Sequence, residues 1–535
     1  MIALCLLLLV GGSEAKVRVN SNTHAFTQVS GRGPSGREIV RELYFHGVNY
    51  VRKGPPYIAD SVDCGPPWTG GPPCPPPQKW TLTGDDVLEL EQRGMNVVRL
   101  GVMWPGAMPE APGKLNASYF DQVEHIVDLL WKREIYTIID LHQDVLSPRI
   151  CGEGAPLWAQ ITREALGGLP FPLPLGLEPL NTLPDGLPNC SAAPTPIGWS
   201  SFYLSDTCGR AFEAIYRDTR PQRLGTQLEI FWAEVARRFA QHPGVAFYEL
   251  LNEPWVGDSV EHPDYLLQPG KADRSQLAPF YRRLHDAIRA HDNETLVLYS
   301  GMEIGDRLTT AVGFEAGPGG PAYDTKQALV MHNYCAIGTD GAGPQRGLQR
   351  ALCNVTDGKT FAARDKDKRR LNTALFMTEF GAVGTSATGL REVQIVADGA
   401  DALQPPVSWA YWAWDAFKGP LGNVSKTWDA ISRSYAPVVD GTLESIRGGG
   451  SDTRFEMIYK TGAPNGQGDG QTHIYFAPGL QDTIITVEPK GAVDFDNCSP
   501  NCIPGATELI LFNNVGHTRV NIVIEKTKTE ILSGV

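Results

Sequence analysis

Eight short apolar runs, spaced by amphipathic stretches, fill the chain as far as Trp414, and this repeat restricts the fold more than any other feature. The runs are Leu43–Tyr50, Met95–Gly101, Ile135–Leu141, Gly244–Asn252, Thr295–Ser300, Ala328–Tyr334, Ala374–Phe380 and Val407–Trp414. Several are apolar throughout, as strands covered on both faces must be, so helices have to pack against a parallel sheet. Thr83 is placed to cap a helix that ends at Gly94. Ser118–Arg133 sets Phe120, Val123, Ile126, Val127 and Leu130 on one face, and Leu228–Ala240 and Leu277–Ala290 have the same period. Eight strands alternating with helices predict an α/β fold of the (β/α)8 TIM-barrel type. A doubly wound sheet is the weaker reading, because the polar residues described below fall at strand C-terminal ends, in the barrel manner.

Two segments interrupt the repeat. Residues 54–77 are rich in proline and glycine and contain Cys64 and Cys74; residues 151–203 form an insertion that includes Leu169-Pro-Phe-Pro-Leu-Pro-Leu175. A loop as long as 151–203 is usually functional or disordered, and the expected disulfides favour an ordered loop beside the active site. After Trp414 the texture changes to short alternating runs, Phe455–Tyr459, Thr472–Phe476, Thr483–Val487, Glu508–Phe512 and Val520–Ile524, bounded by Gly, Asn and Pro. These predict a small C-terminal antiparallel β-sandwich. The expected organisation is a leader over 1–15, a catalytic barrel over 20–436 with the insertion at 151–203, and the sandwich over 437–535.

Hydrophobic residues at 42% and charged residues at 20% fit a globular protein. A net charge of −13 argues against a nucleic-acid partner, since phosphate would be repelled over much of the surface. Met1–Ala15 reads as a signal peptide: Leu4–Val10 is a short apolar core, and Ser13 and Ala15 supply small residues for cleavage. Asn-x-Ser/Thr sites at Asn116, Asn189, Asn293, Asn354, Asn423 and Asn497 also point to a secreted or lumenal glycoprotein. Beyond Cys5, in the leader, nine cysteines remain, and close spacing suggests the disulfides 64–74, 190–208, 335–353 and 498–502 with Cys151 left over. No second apolar span follows the leader. No Cys/His spacing makes a zinc site and no Gly-rich loop joins a strand to a helix, so neither metal nor cofactor is expected.

The chemistry gathers at the strand ends. Phe247-Tyr-Glu-Leu-Leu-Asn-Glu-Pro-Trp255 delivers Asn252 and Glu253 at the end of the fourth run, and Ala374-Leu-Phe-Met-Thr-Glu-Phe-Gly381 delivers Glu379 at the end of the seventh. Three βα units between them allow the two carboxylates to face each other across the barrel mouth. A retaining glycosidase needs such a pair about 5–5.5 Å apart, one carboxyl protonated for the leaving oxygen and the other ionised to attack the anomeric carbon. A lone glutamate at a strand end is more often an ion-pair partner. Here other ends are equipped too: Arg99 on the second run, His142 on the third, His332 and Tyr334 on the sixth, Trp412 or Trp414 on the eighth. Arg99 and Tyr334 could hold one carboxylate ionised; the histidines could bind hydroxyls or tune the acid.

The set Arg99, His142, Asn252-Glu253, His332-x-Tyr334, Glu379 and Trp412 resembles glycoside hydrolase family five, over roughly residues 40–415. The resemblance implies Glu253 as acid/base, Glu379 as nucleophile and Asn252 on the sugar 2-hydroxyl. Asp140-Leu-His-Gln-Asp144 and Cys151-Gly-Glu-Gly-Ala-Pro-Leu-Trp158 look like the endoglycoceramidases, which release the intact glycan from a glycosphingolipid. That likeness implies Asp140, His142, Asp144 and Lys53 around the sugar nearest the scissile bond, a glycosphingolipid substrate, and a transient contact with a membrane surface. Trp158, Leu169, Phe171, Leu173 and Leu175 are the apolar residues expected to meet the lipid. An endo-β-glucanase or a glucosylceramidase of the same family is the alternative. A catalytically silent carbohydrate-binding barrel is disfavoured because both glutamates are present.

Overall fold

The computed structural model describes residues 16–32, 38–65, 74–75, 79–175, 180–192, 199–335, 347–414, 424–451, 453–463, 471–496 and 507–527. The leader, Asn423, Asn497 and the expected Cys498–Cys502 pair lie outside these residues.

All eight apolar runs are strands of one closed barrel: His46–Tyr50, Val97–Gly101, Tyr136–Asp140, Val245–Glu249, Leu296–Ser300, Gln327–Asn333, Leu375–Gly381 and Ser408–Trp412. Each pairs in parallel with the strands before and after it in the chain, and the eighth closes on the first. Their residues are almost wholly buried, which is why the runs lack alternation. The helices begin where the sequence marks them. Thr83 forms a capping box with Asp86 at the start of Gly84–Gln92, and Asn116 caps Ala117–Trp131. The N-terminal half of the barrel is an apolar plug in which Phe26, Phe45, Phe247 and Phe376 meet at ring distances of 5.3–6.1 Å. That plug closes the bottom, so polar groups collect at the opposite, C-terminal mouth.

The barrel is followed by the antiparallel β-sandwich. One sheet holds four strands, in the order Gly441–Arg447, Arg454–Thr461, Arg519–Lys526, Thr483–Glu488. Phe455, Met457 and Tyr459 alternate inward against Val520, Ile522 and Ile524. The other sheet has seven, and three come from the N-terminus: Arg18–Asn20, Ala25–Arg32 and Glu38–Leu43, the last of which pairs with Tyr435–Val439. The sandwich sits on the barrel through Tyr435 and Tyr475, whose hydroxyls donate to the carbonyls of Gly94 and Gln92. Gly94, at φ 74°, ends its helix in the left-handed region, and a Cβ there would lie 2.6 Å from the Tyr475 ring.

Two of the expected disulfides form, Cys64–Cys74 and Cys335–Cys353. The 190–208 pairing does not: Cys190 bonds Cys151, and Cys208 is a free, buried thiol, the only one among the described residues. Short spacing misled because Cys208 lies in the helix Asp206–Tyr216 with its side chain in the barrel core, whereas Cys151, partly buried at the start of the insertion, is brought within 5.5 Å (Cα to Cα) of Cys190. No helix among the described residues is long and apolar enough to cross a membrane.

Candidate active site

Arg99 is the hub of the mouth. It reaches from the second strand with no solvent exposure and holds Glu249 through Nε at 2.7 Å and Nη2 at 3.0 Å, Asn49 through Nη1 at 2.9 Å and Asn252 through Nη2 at 2.8 Å. Nη1 also donates to Glu379 Oε1 at 2.6 Å, and the Tyr334 hydroxyl donates to Glu379 Oε2 at 2.9 Å. Both oxygens of Glu379 are thereby fixed, one by a full positive charge. A register shift between Met331 and His332 sets His332 opposite Glu379 in the pairing of the sixth and seventh strands.

Glu253 stands beyond the fourth strand at φ 37°, a strained conformation for a residue with a Cβ. Gln143 secures it: its amide donates to the carbonyls of Asn252 at 2.7 Å and Glu253 at 3.0 Å and to the Tyr203 hydroxyl at 3.2 Å. His332 Nδ1 lies 2.8 Å from Glu253 Oε1 and 3.6 Å from Glu379 Oε2, so one imidazole nitrogen bridges the two carboxylates. Burial would push this histidine down, but Glu379 and then Glu253 outweigh it and raise it to about 10. Glu253 itself is lowered: burial favours its neutral form, and the His332 hydrogen bond and charge prevail.

The third strand supplies a second cluster. His142 Nδ1 is 2.8 Å from Asp140 and Nε2 is 3.2 Å from Asp144; burial opposes its charge, yet Asp140 and then Asp144 raise it to about 9. Lys53 pairs with Asp144 and with Glu153, the latter at 3.1 Å, and remains a third exposed at the rim. Asp144 is held well below the usual carboxylate range, Lys53 and His142 overcoming its burial. Trp412 stacks on His142 with ring centres 5.2 Å apart, and the Lys53 ammonium sits 4.8 Å from the Trp412 ring centre. Trp414 is instead a core residue, edge-on to Tyr50. Asp140 and His142 have no solvent exposure, so they form the floor beneath Trp412 and Asp144 rather than the surface a sugar meets.

Of the residues expected to act on or bind the sugar, all but Trp414 are therefore at this mouth. Four others were not read there. Gln143 lies inside the quoted Asp140–Asp144 motif, and Glu249 carried a signal as an acidic residue in a buried strand. Asn49 and Glu303 gave none that is local. Glu253, Glu303 and His332 place oxygen and nitrogen atoms within 4.8 Å of one another, close enough for a cation. His332 carries a proton there and Arg307 pairs with Glu303, so the cluster is better suited to holding protons.

The expected lipid-contact residues divide. Trp158 donates to the Met108 carbonyl at 2.8 Å and meets Trp104 edge-on, Phe171 packs on Phe202, and Leu175 rests on the barrel core. Among its described residues, the insertion leaves Leu157, Leu169 and Leu183 exposed, with Leu204 just beyond its end.

A closed barrel with paired, differently supported glutamates at its C-terminal mouth defines the class of barrel glycosidases. Residues 78–418 match the cellulase model of glycosyl hydrolase family 5. The chain is 31% identical over 482 residues to an endoglycoceramidase of Hydra vulgaris, covering 88% of this chain and 82% of that one. It is 32% identical over 388 residues to an endoglycoceramidase of Cyanea nozakii, covering 71% and 68%. The solved endo-glycoceramidase II from Rhodococcus sp. in complex with ganglioside GM3 superposes with a TM-score of 0.68 at 22% identity, covering 93% of this chain and 99% of that one, a likeness of fold. The chain belongs to glycosyl hydrolase family 5 and, within it, to the endoglycoceramidases. It is a glycoside hydrolase.

Proposed function

We propose that the protein is a retaining endo-β-glycosidase that cleaves the bond between the oligosaccharide and the ceramide of glycosphingolipids. The observation that carries this reading is the shared imidazole: one nitrogen of His332 lies 2.8 Å from Glu253 and 3.6 Å from Glu379. The oxygens it touches can be no further apart than those two distances laid end to end. That suits the about 5–5.5 Å of a retaining pair better than the roughly 6.5–9.5 Å that an inverting pair needs to admit water. Arg99 and Tyr334 bind Glu379 and not Glu253, which fits Glu379 as nucleophile and Glu253 as acid/base.

The Glu379 carboxylate attacks the anomeric carbon while Glu253 gives its proton to the ceramide oxygen, and that C–O bond breaks. Water then attacks the glycosyl-enzyme, Glu253 takes the water's proton, the bond to Glu379 breaks and the glycan leaves. Asn252, Asp144, Lys53 and Trp412 are the sugar-binding groups in this reading, with Asp140 and His142 supporting them. The exposed leucines of the insertion offer an apolar surface for the lipid and for a transient membrane contact. Three disulfides and the Asn-x-Ser/Thr sites support a secreted or lumenal setting. The test is incubation with a glycosphingolipid and, separately, a soluble β-glucan, followed by mass spectrometry. Ceramide plus intact oligosaccharide is expected; cleavage of the glucan alone would make it a glucanase, and release of a single glucose a glucosylceramidase.

A further inference from the structure

We infer that Glu303 is a positioning residue for the reaction: it shares one proton with Glu253, and Arg307 directs that proton towards Glu253. This rests on the assignment of Glu253 as the acid. Glu303 opens a short helix, Glu303–Arg307, in the loop after the fifth strand. Its backbone N–H donates to the Pro254 carbonyl at 3.0 Å, which docks the helix on the loop bearing Glu253. The side chain is buried and converges on Glu253 and His332, and Arg307 Nε donates to it from one turn further on. Burying two carboxyls beside one another makes their joint ionisation costly, so such a pair retains a proton. Burial and then the charge of Glu253 raise Glu303 to about 8.

Two placements of the proton compete. With the proton on Glu303, the Glu253 carboxylate faces the protonated His332. With the proton on Glu253, the Glu303 carboxylate faces Arg307. Only the second placement is competent for leaving-group protonation. A sugar oxygen arriving at Glu253 desolvates it further and disfavours its charge, tipping the balance that way. The groups facing the pair are those already named together with Asp144, whose charge opposes ionisation of Glu253, Asp306, which accepts from the His332 backbone N–H and is held by Arg364, and Tyr203 behind Arg307. His332 is faced on its other side by Glu379 and Arg99.

The test is the pH profile of kcat/KM with two aryl β-glycosides of the same disaccharide, one releasing phenol, a poor leaving group, the other dinitrophenol, a good one. In Glu303→Gln, Glu253 loses its charged neighbour and gives up its proton at lower pH. The alkaline limb with the phenyl substrate should move to lower pH by about one unit or more, while the dinitrophenyl profile stays put. Glu303→Asp, which keeps a carboxyl, should restore most of the limb. Arg307→Gln should lower phenyl turnover about tenfold or more across the whole pH range and spare the dinitrophenyl substrate. An unmoved alkaline limb in Glu303→Gln, or equal losses on both substrates, would overturn the inference. Should Glu303→Gln fail to fold, Arg307→Gln decides the matter by the same substrate split. If Glu253→Ala shows no dependence on the leaving group, it is the assignment of Glu253 that fails, so the two failures are distinguishable.

Discussion

Arg99 separates the roles of two residues of the same type. It donates to Glu379 and leaves Glu253 to His332, so identical carboxyls meet different electrostatic surroundings. Glu379→Gln should abolish nearly all turnover while far-UV circular dichroism and Tm stay close to wild type; a variant with near wild-type rate would refute Glu379 as nucleophile. Glu253→Ala should lose about 10²–10⁴-fold on a glycoside with a poor leaving group and much less on a dinitrophenyl glycoside, since only the first needs the acid. Tyr334→Phe removes one donor to a buried carboxylate and should cost about 1–3 kcal/mol, read as a fall in kcat/KM of roughly tenfold to a hundredfold. The paired glutamates, Arg99, His142, His332 and Tyr334 were legible in the sequence because each closes an apolar run, a strictly local pattern. Glu303 was not, because its meaning comes from Glu253, on a different strand end, and from the docking of a short helix.

At the scale of the element, the insertion over 151–203 divides its apolar side chains between two environments. Phe171 packs at a tilt on Phe202 and Leu175 on the barrel core, so they fasten the segment. Leu157 and Leu169, which the proposed function assigns to the lipid, are 48% and 37% exposed. Changing Phe171 and Leu173 together to Ser should lower Tm and depress hydrolysis of lipid and soluble aryl glycosides alike. Changing Leu157 and Leu169 to Ser should leave Tm and aryl-glycoside hydrolysis nearly unchanged and weaken hydrolysis of a glycosylceramide in vesicles. Equal losses on both substrates in the second pair would remove the insertion from lipid recognition. Non-reducing peptide mapping should recover Cys151 joined to Cys190, with Cys208 alkylated only after denaturation. Chain spacing could propose partners for these cysteines, but which way each sulfur points depends on the helix and loop that carry it.

For the whole molecule, buried titratable groups set the response to pH. Glu303 and Asp357 are raised to about 8 and Glu42 to about 7, each chiefly by burial. A carboxyl raised in the folded state binds its proton more tightly there than in the unfolded chain, so its contribution to stability falls as pH rises from about 4 to the folded value. His142 and His332, raised to about 9 and 10, contribute fully below about 6.5 and lose that contribution as pH rises towards the folded values. Asp144, depressed, acts oppositely and only in strong acid, stabilising above about pH 4 and losing effect as pH falls further. His24, His46 and His285, lowered chiefly by burial, act oppositely below about 6.5, and Lys16, lowered to about 8 by burial, acts oppositely above that value, so the groups agree in sign only between about pH 6.5 and 8. Tm measured by calorimetry should therefore decline from about pH 6.5 to pH 8, and a Tm that climbs over that interval would contradict the assignment.

Local pattern by itself determined a good deal: eight barrel strands, the capped helices, an antiparallel sandwich after the barrel, and the strand ends that carry the chemistry. Burial on both faces, period-two alternation and helix caps are written in neighbouring residues, and so can be read without knowing the fold. The tertiary structure decided what depends on distance across the chain. It brought residues 18–43 beside 435–439 to complete a seven-stranded sheet, with Glu42 accepting from the Leu443 N–H. A bulge placed His332 opposite Glu379, Cys151 was joined to Cys190, Trp412 went to the site and Trp414 to the core, and Glu303 was set beside Glu253. Register, side-chain direction and shared protons arise only when distant segments are packed against each other, and no neighbouring residue in the chain records them.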